Sequence, residues 1–249
     1  MTAKDLHKVF YKQDELNSIV DGDNWILKNN DWVTAVIIES AELIDSLNWK
    51  WWKKGKDDIE NAKMEVTDIF FFSISMMIEK RNKYSIKEED TLNLKLPLTD
   101  KVFLDYKERI GVALERKSII KHTKELIKAI QNFEDKANLF TEEEKELQTV
   151  NKYHDKIDEL TKRVMKAIMN VAMSLNMSNE DLLKMYYAKL VLNKFRQNNG
   201  YKDGSYVKFI DGKEDNECLL ELASNVPFDG NFENTLYNTF DAFYREHTK

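Results

Sequence analysis

From Asp23 to Asn199 the sequence carries only Gly55, Gly111 and Pro97 as chain-breaking residues. A sheet protein needs turn residues at every corner, so a stretch this poor in them must run in long helices with few corners. The 249 residues suffice for one large core or two small ones. Apolar residues make up 42% and charged ones 33%, a balance that supports a packed interior with solvated outer faces rather than disorder. The expected fold class is therefore all-α.

Several classes of function fall away on composition. The single cysteine, Cys218, excludes an intrachain disulfide and a multi-thiolate metal site. With 38 basic against 44 acidic residues the net charge is −6, so no broad positive field attracts nucleic acid or anionic lipid, and neither is expected as a partner. The longest nearly apolar run, Ile69 to Ile78, is interrupted by Ser73 and Ser75 and is too short to span a bilayer. Residues 1–8 contain no apolar segment of the secretory type. The expectation is a soluble, cytoplasmic protein, in the host cytoplasm if the source is viral.

Apolar spacing predicts a first helix over Leu6 to Ile19 and a second from an Asp31 cap to about Trp52. A third is predicted from Asp57 or Asp58 to about Arg81. Pro97 marks a boundary, and helical patterns dense in Lys and Glu follow to about Asp155. The acidic run Glu142 to Glu146 reads as a solvated helix start after Thr141. Further helices fit Lys156 to Leu175, Ser178 to Asn199 behind a Ser178/Asp181 capping box, Glu214 to Ala223, and Asn231 to His247. Gly200 breaks the chain before a loop through Tyr206. No fixed-period repeat or heptad pattern is present.

The most informative stretch is Met64 to Ile78, where Glu65 and Asp68 are the only charges. A helix apolar on nearly every side is a central helix, and a carboxylate there is costly unless paired or metal-bound. The second helix repeats the pattern with Glu39 and Glu42 among aliphatics. Three-residue spacing puts each pair on one helical face, about one turn apart. Two such helices packed face to face gather four carboxylates with no base in either run. All-oxygen ligation selects a hard ion, Mg²⁺ or Mn²⁺. A di-iron bundle would need Glu-x-x-His, and none of the four histidines has a Glu three residues before it. A lone Glu-x-x-Glu is ordinarily a solvated face; the second pair, inside a nearly uncharged helix, tips the reading towards a metal site.

Other segments have two readings. Trp49-Lys50-Trp51-Trp52-Lys53-Lys54 fits core anchors with favourable C-terminal charges, or an aromatic wall with a lysine for phosphate. Gln13 and Asn17 place amides one turn apart, suited to a base edge, although alone they read as solvent-facing side chains. Lys189 to Lys202 clusters cations and amides at a helix end, a source of counter-charge for a polyphosphate or a plain charged terminus. No Gly-x-x-x-x-Gly-Lys loop occurs.

Glu39 to Ser46, Trp49-Lys50, Trp52-Lys53, Glu65 and Asp68 together resemble the dimeric all-α dUTPase family. The order extends to Gln13 and Leu16-Asn17 before them, and after them to Asn193 through Gln197, Gly200-Tyr201-Lys202, Gly204 and Gly212 to Glu217. The resemblance implies a helical bundle core, residues 1–89 and 156–249, with a smaller mobile helical insertion at 90–155 hinged near Pro97. It implies a Mg²⁺-dependent homodimer, with Mn²⁺ a possible substitute, that hydrolyses dUTP and dUDP to dUMP. Glu39, Glu42, Glu65 and Asp68 would bind metal, and Glu39 or Glu42 would deprotonate the attacking water. Gln13, Asn17, Trp52 and Phe72 would surround the nucleoside. Lys53, Lys189, Asn193, Arg196, Tyr201 and Lys202 would serve the phosphates, and Asn216 would lie near the base.

The sequence departs from the family at Asp68-Ile69-Phe70-Phe71-Phe72, where the usual pattern is Asp-Ile-Trp-His-Phe. Phe71 removes a polar group near the sugar and leaves a dual dCTPase/dUTPase, or a broader deoxynucleotide pyrophosphatase, as an alternative. From another class, a non-catalytic helical module could use the acidic face and the tryptophans to bind a protein partner.

Overall fold

A computed structural model describes residues 1–82, 114–139 and 147–248. Pro97, Gly111 and the acidic run at 142–146 lie outside the described residues. The helices are α1 (Ala3–Asp21), α2 (Trp32–Ser46), α3 (Ile59–Asn82), α4 (Arg116–Asn138), α5 (Leu147–Ser174), α6 (Asn179–Asn198), α7 (Asp215–Ser224) and α8 (Phe232–His247). A 3-10 turn at Trp25–Lys28 and a two-stranded antiparallel hairpin pairing Phe209 with Glu214 are the additions to the expected pattern. Among the described residues no helix is long and apolar enough to cross a membrane.

The caps follow the sequence. Thr2 and Ser178 each open a helix with a reciprocal capping box, and Asp31 accepts the Thr34 N–H at 2.9 Å. Asp58, not Asp57, begins α3 by accepting from the Asn61 N–H at 3.0 Å. The second helix stops at Ser46, short of the expected Trp52. Its end is taken over by the following loop, in which the Asn48 N–H donates to Asp57 Oδ1 at 2.7 Å and the Asp58 N–H to the Ser46 carbonyl at 2.8 Å. Those bonds satisfy groups that another helical turn would have paired. Helix α5 begins at Leu147 rather than Lys156, so the expected boundary at residue 155 falls within a helix.

Helix α3 is the axis of the bundle, with buried residues around its whole circumference. It packs against α1, α2, α5 and α6, which explains why a stripe of apolar residues on one face was not enough. Helices α2 and α3 are antiparallel: Asn61 at the start of α3 bonds Ser46 at the end of α2, while Trp32 at the start of α2 donates to Glu79 near the end of α3. Helix α4 packs on α2 and α5 and places Ile119, Leu126, Ile130 and Phe133 in the same main core. The described part of the segment 90–155 therefore shares the core of the bundle. Arg116, at its start, grips Asp57 through Nε at 2.7 Å and Nη2 at 3.0 Å.

A second core joins the C-terminal half of α6 to α7 and α8. Phe195 is its hub, with the rings of Tyr237, Phe240 and Tyr244 centred 5.4, 4.9 and 5.1 Å away. Beside it Arg196 makes a two-pronged pair with the fully buried Asp215 at 2.8 and 2.7 Å, and the Tyr206 hydroxyl donates to Asp215 at 2.8 Å. Gly200 ends α6 at φ +86°, where a Cβ would lie 1.9 Å from Ser205 Oγ. Asp215→Ala should strip the buried guanidinium of its counter-charge and cost about 3–5 kcal/mol in denaturant unfolding. Asp241→Ala, which breaks the exposed pair with Arg245, should cost less than about 1 kcal/mol. Equal losses for the two variants would refute this ranking.

Candidate active site

Helix α2 presents Glu39 and Glu42 to Glu65 of α3, and one oxygen from each of the three lies within 4.8 Å of the others. Glu65 is 8% exposed, Glu39 half-buried and Glu42 open to solvent. Burial, the charge of Asp68 and a hydrogen bond with Glu65 push the Glu39 carboxyl up to about 8. Burial and the charge of Asp68 raise Glu65 as well, while its bond with Glu39 acts the other way. The two carboxyl groups thus share a proton at neutral pH, as like charges held close together in a poorly solvated seam must. Asn61, one turn before Glu65, donates to Glu65 Oε1 at 3.0 Å and to Ser46 Oγ at 2.7 Å, which fixes the inner oxygen.

Asp68 is different from the other three. Lys189, reaching across from α6, pairs with both its oxygens at 2.8 and 2.9 Å. The sequence had placed no base within either carboxylate run; the base comes from a helix 121 residues later in the chain. Asp68, Lys189, Thr67 and Asn216 form the polar side of a cavity of about 20 Å³, closed on the other side by Met64, Met185, Leu192, Leu219 and Leu220. That volume admits one water-sized group.

Glu65, Asp68, Phe72, Ser75 and Glu79 follow one another at alternating three- and four-residue spacing, so they form a single stripe along α3. Phe72 lies against Trp32, ring centres 6.3 Å apart. Next along the stripe, Asn17 of α1 donates to Ser75 Oγ at 2.9 Å, and Gln13 donates to Asn17 Oδ1 at 3.0 Å. Gln13 is fully buried and Asn17 is 6% exposed, in contrast to the surface placement that their spacing alone suggested. Phe71 points away from the stripe into the core, its ring 5.7 Å from that of Tyr186.

The remaining expected contacts are spread along the other elements. Asn193 is half-buried on α6, one turn beyond Lys189. Arg196 has its guanidinium committed to Asp215 and lies 5.5 Å from the ring centre of Tyr201. Lys202, exposed, reaches the Ile19 carbonyl at 3.4 Å. Trp52 and Lys53 stand in solvent on the α2–α3 loop, with Trp52 61% exposed and packed edge-on against Trp49 and Trp51. Asn61, Ser75, Arg116 and Tyr186 were not singled out from the sequence. Asn61 could have been found from its i,i+4 spacing to Glu65, whereas the others depend on contacts between distant segments.

An oxygen-only donor set with shared protons and too little positive charge fits a hard divalent cation. Glu39, Glu42 and Glu65 would supply ligands, and Asp68 would join them on leaving Lys189. A family model described as dUTPase matches residues 5–201, while no curated protein sequence matches the chain. Lys202 and Asn216 lie beyond the matched span.

The proton shared by Glu39 and Glu65 gives a pH dependence of defined sign. Between the ordinary carboxyl value of 4.5 and about 8, the folded metal-free protein holds a proton that the unfolded chain has released. Its stability should therefore fall as pH rises through that window and level off above it. Glu39→Gln should flatten that slope. Mg²⁺ binding near pH 7 should expel protons, seen in calorimetry as heats that vary with the ionisation enthalpy of the buffer. Heats independent of the buffer would contradict the shared proton.

Proposed function

The chain belongs to the dimeric all-α dUTPase family and is a dUTP diphosphatase-type hydrolase, and from that premise we propose that it hydrolyses dUTP and dUDP to dUMP, with Mg²⁺, at the carboxylates of α2 and α3. The observation that carries this reading is the Glu39–Glu42–Glu65 group, one oxygen of each lying within 4.8 Å of the others across the α2–α3 seam. The family match gives way to no role for the chain as a purely non-catalytic module.

Glu39, Glu42 and Glu65, with Asp68, would hold Mg²⁺, or Mn²⁺ in its place, which when bound would supply positive charge for the phosphates and acidity for the attacking water. Glu39, or Glu42 beside it, deprotonated once the cation is in place, takes the proton of that water. The water oxygen bonds to phosphorus and the bridge between the α- and β-phosphates breaks. Pyrophosphate leaves from dUTP and phosphate from dUDP, with dUMP the common product. Lys189 turns from Asp68 to the phosphates, where Asn193, Arg196, Tyr201, Lys202 and Lys53 add donors and charge.

The α3 stripe supports the orientation of the nucleotide. Asp68 and Ser75 are seven residues apart, which a helix converts to roughly 10 Å. A pyrimidine edge and its β-phosphate are separated by a similar length, so phosphates at Asp68 place the base at Asn17 and the sugar over Phe72. Gln13 stands behind Asn17; Asn216, in the cavity beside Asp68, lies at the phosphate end rather than near the base, and Trp52, on the loop before α3, lies at the opposite end of that helix from Ser75. A homodimer accords with the half-exposed Ile38 on the outward side of α2.

Release of pyrophosphate from dUTP, and of phosphate from dUDP, should require Mg²⁺ and stop with chelator. Glu39→Gln should lower kcat by about 10³-fold with its helical circular dichroism unchanged. Turnover in chelator, or a fully active Glu39→Gln protein, would refute the assignment. Sedimentation at micromolar concentration should give twice the chain mass of 29.4 kDa.

A further inference from the structure

Of the four carboxylates, Asp68 is the one held by a cation among the described residues. Lys189 of α6 sits across both its oxygens at 2.8 and 2.9 Å, while Glu39, Glu42 and Glu65 bring one oxygen each to within 4.8 Å of one another without it. The pair is poorly solvated, with the Asp68 side chain 16% exposed and that of Lys189 23%. The cavity beside it holds about 20 Å³, room for one water-sized group, and its other walls are largely methionine and leucine side chains. Little water can reach the two charges to solvate them apart. Separating them without a replacement for each would strand both.

Two ligands supply those replacements. A divalent cation in the seam replaces the ammonium at Asp68, which lies one helical turn beyond Glu65 on the α3 stripe. A polyphosphate replaces the carboxylate at Lys189, whose helical face also carries Asn193 and Arg196 at four- and three-residue spacing. Neither replacement is complete alone. A cation that takes Asp68 leaves an unpaired ammonium next to it, a like charge in a poorly solvated place. A phosphate that takes Lys189 leaves Asp68 unpaired, with its charge acting on Glu39 and Glu65. Together the two ligands leave no charge stranded.

We propose that Lys189 is a latch on Asp68: without nucleotide its ammonium keeps Asp68 from the divalent cation, and a polyphosphate draws it off, so that cation and nucleotide bind with positive coupling. The inference rests on the reading that the α2–α3 carboxylates hold the cation. Such coupling is reciprocal, so each ligand raises the affinity for the other by the same factor, about tenfold or more. It also runs in reverse after hydrolysis. As the products depart, Lys189 returns to Asp68 and takes one ligand from the cation, so the emptied site releases it. Lys189 thus decides when the fourth carboxylate is available, beyond any contact it makes with phosphate.

Mn²⁺ tests this without turnover, because its sharp paramagnetic resonance lines report the free ion. Glu65→Gln examines the underlying reading: it should weaken Mn²⁺ binding at least about tenfold, and an unchanged affinity would remove the cation from the seam and the latch with it. The latch itself is tested by Asp68→Asn in three settings. In the otherwise wild-type protein without nucleotide, the change should weaken Mn²⁺ by less than about threefold, since Asp68 is already engaged. In the Lys189→Met background, and in the wild-type background with a non-hydrolysable dUTP analogue, the same change should cost about tenfold or more. Chelation of Mn²⁺ by the free analogue acts on both proteins of a pair alike and cancels. Lys189→Met alone should bind Mn²⁺ more tightly than the wild type without nucleotide. A purely electrostatic effect of Lys189 would tighten Mn²⁺ as well, but it would leave the Asp68→Asn loss equal in every setting. Equal losses would overturn the latch while the Glu65→Gln result stands separately. Should Lys189→Met fold poorly by circular dichroism, Lys189→Gln removes the same charge and keeps a polar side chain.

Discussion

Two carboxyl groups sharing one proton in the seam between α2 and α3 set the terms for the rest of the molecule. Glu39 and Glu65 are held together although their charges repel, which requires the two helices to be fixed by bonds elsewhere. Those bonds lie at the two ends of the helical pair. At one end Ser46, Asn61, Asp57 and Asp58 lace the loop to both helices, and Arg116 clamps Asp57 from α4. At the other, Trp32 donates to Glu79 at 2.8 Å. The apolar packing around α3 holds it at the centre, so the carboxylates cannot relax into solvent by tilting the helix outward.

The same helix changes chemistry along its length. Its first half meets the seam with ionisable oxygen atoms, one of them answered by Lys189. Two turns later, before the stripe ends at Glu79, the groups are neutral amides and hydroxyls, each with a partner. That division suits the proposed placement of the nucleotide. A polyphosphate needs charge and tolerates solvent, whereas a pyrimidine edge is distinguished by the order of donors and acceptors, which only a desolvated, oriented amide can read. Phe72 and Trp32 separate the two zones with an apolar wall.

What the sequence made legible is local in character. The scarcity of glycine and proline implied long helices, and two charges in an otherwise apolar run marked α3 as central and its carboxylates as costly. Asp31, Ser178 and Gly200 fixed helix ends because a cap acts within a few residues. The end of α2 was misplaced because Trp49, Trp51 and Trp52 continue an apolar pattern, while the bonds that stop the helix come from Asp57 and Asp58 on the returning loop. Gln13 and Asn17 looked like surface residues for a related reason: their partners, Tyr186 and Ser75, lie 173 and 58 residues away along the chain. Spacing tells which side chains share a face, and says nothing of what another helix brings to that face.

The family match ends at residue 201, yet a residue inside it depends on one outside. Arg196 holds both guanidinium prongs on Asp215, which is fully buried at the start of α7 and also accepts from Tyr206. A cation so engaged cannot swing freely to a phosphate; it offers charge from a fixed place, with the ring of Tyr201 along its edge. The C-terminal helices thereby set the geometry of the far end of α6, the helix that also carries Lys189 and Tyr186. Through α6 the second core is coupled to both zones of the α3 stripe, at Asp68 through Lys189 and at Gln13 through Tyr186. The last fifty residues are thus part of the framework that holds the carboxylates and the buried amides in place.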